Sequence, residues 1–194
     1  MDQVYYRLLA AIEARRLVIF TGAGLSMPAP TLLPSARALA REAARRHEAK
    51  TGEILDENVR EDIEAQARRF HASKQLQTYF LPNLIDWTGF AGEPNAGHYA
   101  VADLLLSHAL AINVTTNVDV LVEKAAETLG YERLDIAISG SQAAVARPHP
   151  PFLKIHGCVR IDPTDTLWCR EQLAEPPWNM RIAQSAQWLG PVTK

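Results

Sequence analysis

The run Leu17-Val18-Ile19-Phe20 stops abruptly at Thr21-Gly22-Ala23-Gly24-Leu25-Ser26. Four consecutive apolar residues without alternation predict a strand buried on both faces, the habit of a central strand in a parallel sheet. A glycine turn, a hydroxyl and a helix-like segment follow. Strand, turn, helix is how α/β proteins present backbone amides to a phosphate. A dinucleotide fingerprint would place a third Gly or Ala three residues beyond Gly24. Met27 stands there, so the pattern of hydride-transferring dehydrogenases is not met.

The rest of the chain alternates helical and strand-like segments. Val4, Tyr5, Leu8, Leu9 and Ile12 predict an amphipathic helix over 3–15. Pro28, Pro30 and Pro34 enforce a loop, and Ser35 is a good N-cap for an alanine-rich helix to about Lys50. Val59, Ile63, Ala67 and Phe70 mark another helix, and Leu76, Tyr79 and Phe80 a short one. Residues 28–92 therefore form a helical insertion. A helix over His98–Ser107 precedes a strand at Leu110–Val114. A further helix runs to Leu129 and is closed by Gly130. Strands are expected at Leu134–Ile138 and Pro151–Ile155, with a weaker one at Thr166–Cys169. Trp178 and Trp188 look like apolar anchors without an element. Such alternation predicts an α/β fold, a Rossmann-like parallel sheet flanked by helices, with the insertion after the first strand.

Composition narrows the function classes. Lys and Arg total 20 against 22 Asp and Glu, so the basic excess of a nucleic-acid binder is missing. The basic stretch Arg41–Lys50 fits a solvated helix face. No apolar run approaches the ~20 residues of a membrane span, and the N-terminus lacks a signal-peptide layout. A cytoplasmic protein with reduced Cys158 and Cys169 is expected. Two cysteines do not supply a zinc site. His47, His71, His98, His108 and His149 have no ligand spacing, so no metal is expected.

In a parallel sheet all strand C-termini open on one edge, where ligands bind. Three predicted strands end there in polar loops: Gly22–Ser26, Thr115–Asp119 and His156-Gly157. Each has a plainer reading, as a tight turn, a capping box of Thr116 with Asp119, or a histidine satisfied by backbone. Their convergence makes the functional case, with His156 suited to proton transfer near neutral pH.

Gly22-Ala23-Gly24-Leu25-Ser26, Thr116-Asn117-Val118-Asp119 and Lys154-Ile155-His156-Gly157 resemble, in order, the three signature motifs of sirtuins. Pro94 to His98, with Ala100 and Leu104, is similar to a fourth, weaker stretch. The resemblance covers about residues 15–160 and implies NAD as a substrate. It implies that the Gly22, Ala23 and Gly24 loop holds the pyrophosphate and that Ser26 contacts the cofactor. It further implies Asn117 at the nicotinamide ribose, Asp119 at the carboxamide, and His156 as general base. Deacylases of the family carry a four-cysteine zinc module after the His-Gly motif and a Pro-Asp-Phe-Arg loop. Here the module is missing, and Pro34-Ser35-Ala36-Arg37 keeps only the proline and arginine. The helical insertion is closer to sirtuin-like domains of prokaryotic antiphage defence systems, which hydrolyse NAD to nicotinamide and ADP-ribose. The family's later strands are hard to find, so residues 1–194 are expected to be one NAD-binding domain, C-terminally incomplete. A homo-oligomer or a partner defence protein is expected, with no membrane and no nucleic acid. The alternatives are an NAD-dependent protein deacylase and a non-catalytic module binding NAD or ADP-ribose.

Overall fold

The computed structural model describes residues 2–130, 134, 136–138, 142 and 152–192. Within them lie four parallel strands: β1 (Leu17–Thr21), β2 (Leu110–Thr115), β3 (Ile136–Ala137) and β4 (Phe152–Lys154), in sheet order β1-β2-β4-β3. Pro151, expected to open the fourth strand, and His149 lie outside the described residues, as does Asp135 of the third.

β1 is not a central strand. It pairs with β2 alone and forms an edge of the described sheet, and Phe20 is 68% exposed. The central places belong to β2 and β4, whose residues are almost all buried. Helix α1 (Asp2–Glu13) precedes β1, but its apolar stripe is not buried. Val4, Tyr5, Leu8 and Leu9 are exposed, and only Ala11 and Ile12 are half-covered.

The insertion is helical, as its spacing predicts. α2 (Ala36–Thr51) starts at Ser35, whose side chain accepts the Ala38 N–H, and ends at Gly52 with φ +75°. The helix expected through Val59 and Phe70 is two: α3 (Glu57–Arg60) and α4 (Ile63–Ala72). The break falls at Asp62, whose carboxylate caps α4 through the Glu64 and Ala65 amides. A π-helical turn at Leu76–Phe80 and α5 (Leu81–Asn83) complete it. Phe70, Leu76, Phe80, Leu81 and Leu84 form its core, against which Trp168 packs.

α6 (Ala96–Leu106) and α7 (Leu121–Thr128) cover the sheet, burying Val101, Leu105, Val122 and Ala126 with Leu110 and Phe152. Ile112, Val114, Ala137 and Leu153 make a second sheet cluster. Two expectations fail toward the C-terminus. Thr166–Cys169 is not a strand. Its Leu167 amide bonds to the His156 carbonyl, and the Trp168 and Cys169 amides bond to Gln172 Oε1, so no ladder forms. Trp178 opens a helix, α8 (Trp178–Val192), and is itself buried; the Trp188 side chain lies outside what is described.

Candidate functional site

Register brings the three loaded loops together. Thr21 pairs with Thr115, and Thr115 pairs with Lys154, so one row of residues crosses β1, β2 and β4. Beyond that row the chains open into Gly22, Thr116 and Ile155. Backbone bonds hold the openings in line: Thr116 N–H to Thr21 O at 3.1 Å and Ile155 N–H to Thr115 O at 3.0 Å. Asn117 and His156 each lie two residues past the row, on strands that are neighbours.

Above this edge is a cavity of about 490 Å³, inside the roughly 300–1,000 Å³ range of ligand pockets. Its lining includes Ala23, Ser26, Thr116, Asn117, Asp119 and His156 from the three strand ends. Leu33, Pro34, Leu39, Ile63 and Glu64 of the insertion line it too, with Phe90, Leu167, Trp168, Arg170 and Leu173. Of the residues singled out from sequence, Ala23, Ser26, Asn117, Asp119 and His156 therefore share one chamber. Gly22 and Gly24 are not among its lining residues. A Cβ on Gly22 would lie 3.1 Å from Thr116 Oγ1, so that glycine lets the turn close on the second loop; one on Gly24 would meet open space.

Ser26 is the knot of the site. It is 2% exposed. Its hydroxyl donates to Asp119 Oδ2 at 2.9 Å and accepts from Asn117 Nδ2 at 3.0 Å. His98 Nε2 lies 3.1 Å away. Because His98 Nδ1 accepts the Asn95 amide at 3.0 Å, the neutral ring carries its proton on Nε2 and donates it to Ser26. Serine, histidine and aspartate thus meet without forming a nucleophile–base pair, since His98 offers Ser26 no lone pair. The one proton and both lone pairs of the hydroxyl are spent. His98 was not expected here; it closes a capping box with Asn95 at the start of α6, a box that sequence spacing alone does not reveal because its N3 residue is neither Glu nor Gln.

Asp119 is held twice over. Its Oδ1 accepts the Leu121 amide at 3.1 Å, at the start of α7, while Oδ2 accepts from the Ser26 hydroxyl. The expected Thr116–Asp119 capping box is replaced by this bond and by Thr115 Oγ1 accepting the Asn117 amide at 3.0 Å. Asn117 Oδ1 and both ring nitrogens of His156 have no protein partner among the described residues. They are open polar valences of the cavity. Gly157, with φ +89°, turns the chain just after His156.

Burial pushes the His156 imidazole below the ordinary histidine value. It does the same to His98, where the Asp119 carboxylate works in the opposite direction. Both rings are therefore neutral at pH 7, and His156 is a proton acceptor there. The sign of the stability effect follows. A histidine whose folded value is depressed stabilises the fold above its unfolded value of about 6.5 and loses that contribution as pH falls. Urea unfolding should show stability falling from pH 7.5 to pH 5, and His156→Gln should flatten part of the fall.

Cys158 and Cys169 are free and buried, and burial raises the Cys169 thiol at the cavity wall. No cluster of three or more His, Cys, Asp or Glu that could hold a metal occurs among the described residues. No helix among them is long and apolar enough to cross a membrane. No protein-family model matches the chain, and no curated protein matches it.

Proposed function

We propose that the protein is an NAD glycohydrolase, cleaving NAD to nicotinamide and ADP-ribose. One observation carries the reading: Asn117 Oδ1 and the neutral His156 ring, unpartnered among the described residues, line the same cavity at the ends of adjacent parallel strands. The chemistry asks for little more. Nicotinamide is cationic while attached and leaves neutral, so no acid must protonate it. The site has to stabilise an oxocarbenium-like ribose and direct a water. Asn117 Oδ1 would orient that water or a ribose hydroxyl, and His156 would take the water's proton as the C–O bond forms. Asp119 would face the carboxamide end, its position fixed by Ser26 and Leu121. The turn Gly22-Ala23-Gly24 would meet the pyrophosphate. The resemblance to antiphage domains favours an effector that depletes cytoplasmic NAD, as a homo-oligomer or with a partner defence protein.

The large apolar side chains that line the cavity favour a second reading, a deacylase that seats an acyl-lysine against Phe90 and Trp168. Product analysis separates the two. Incubation with NAD alone should release nicotinamide and ADP-ribose in equal amounts. Product formed only when an acyl-lysine peptide is added, as O-acyl-ADP-ribose, would replace the first reading with the second.

A further inference from the structure

Lys154 is wholly buried, an expensive place for an ammonium. Its strand neighbours Phe152 and Leu153 are buried apolar residues, so a methionine or leucine would suit β4 as well. The charge is kept for what it touches. Its Nζ donates to Glu123 Oε1 at 2.8 Å and to the main-chain carbonyl of Asp119, and it sits 5.5 Å from the Phe152 ring centroid. Glu123 lies in the first turn of α7, where the helix dipole favours a carboxylate. An ion pair would be complete with Glu123 alone. The second bond, to Asp119, is not required by it.

That bond has a geometric consequence. Lys154 is two residues before His156 on the same strand end, and Asp119 is two residues after Asn117. A single side chain therefore clamps the strand end that delivers His156 to the loop that delivers Asn117. Asp119 is fixed at three points: its carbonyl by Lys154, its Oδ1 by the Leu121 amide and its Oδ2 by Ser26.

We propose that Lys154 is a positioning residue, which sets the spacing of Asn117 and His156 by holding the Asp119 carbonyl. The proposal rests on the reading of the cavity as an NAD-cleaving site. Glu123 holds the lysine through Oε1, and its Oε2 makes no hydrogen bond among the described residues, so the two partners should differ in what their loss does. Lys154→Met removes the clamp. Glu123→Gln keeps it, because the amide oxygen still accepts from the ammonium. The double variant Lys154→Met with Glu123→Leu replaces the pair by apolar groups, a change that buried ion pairs commonly tolerate.

The experiment measures kcat and KM for NAD, melting temperature, and hydrogen exchange of the 116–121 amides in the three variants. Lys154→Met should lower kcat by about 10-fold or more and leave KM within about 2-fold, with faster exchange at 116–121. Glu123→Gln should melt earlier yet keep kcat within about 2-fold of the parent. The double variant should regain melting temperature but neither kcat nor protection. Full kcat in Lys154→Met, or recovery of kcat in the double variant, would overturn the proposal. If the parent protein does not turn NAD over, the functional reading fails by itself. The clamp is then judged on exchange alone, and unchanged protection in both Lys154 variants would sink it.

Discussion

Gly157→Ala should lower stability by about 3 kcal/mol, the sum of a strained backbone and an overlap. Gly157 has φ +89°, a conformation L side chains rarely adopt. A Cβ there would stand 2.9 Å from the Asp165 carbonyl oxygen and 3.2 Å from Thr166 Cγ2. The first neighbour is backbone and cannot step aside as a side chain would. It belongs to a segment that is itself tied down: Thr166 Oγ1 accepts from Trp168 Nε1 at 2.7 Å, and Gln172 Nε2 donates to the Thr166 carbonyl at 3.0 Å. Relief would have to come from the 155–157 turn, carrying His156 away from Asn117. For a chain of this size the loss corresponds to a melting temperature about 6–12 °C lower. Calorimetry reads it directly, and a shift smaller than about 2 °C would show that the turn has slack the structure does not suggest.

The sheet was readable from sequence where the local pattern carries the whole signal. Leu110–Thr115, apolar but for Asn113 and Thr115, and Phe152–Lys154, apolar up to its last residue, both run into polar loops, and both are buried strands. Leu17–Phe20 has the same pattern and is an edge, because neighbours in a sheet are chosen by distant segments that four residues cannot report. Thr166–Cys169 has strand-forming residues, yet Gln172 takes its amides, a side-chain choice made outside the run. The helix α8 follows Pro176-Pro177 and lacks a strong apolar period, so nothing marked its start.

The site divides along the same line. Asn117, Asp119 and His156 were legible because a parallel sheet must bring its strand ends to one edge, and their register does so. The Ser26–His98 contact spans 72 residues. No spacing announces it, and His98 lacks every ligand pattern. Lys154 was visible only as a letter in a motif. Lysine is so seldom fully buried that its role as a clamp has no sequence signal.

The largest effect on activity is expected at Asn117 and His156. Asn117→Ala removes Oδ1 from the cavity and the Nδ2 donor from Ser26. His156→Ala removes the neutral ring that, on the proposed reading, would accept the proton of the attacking water. General-base catalysis contributes about 10²–10⁴-fold, so His156→Ala should retain at most about 1% of parental turnover. Asn117→Ala should fall comparably if the water or ribose hydroxyl loses its guide. Asn117 is half-exposed, and the His156 ring has no hydrogen-bond partner among the described residues. Both variants should therefore fold, which circular dichroism checks. The deciding measurement is the release of nicotinamide from NAD by the parent, Asn117→Ala and His156→Ala proteins at pH 7.5. Steady release by the parent and its loss in both variants is the expected result; turnover undiminished in either folded variant would contradict it.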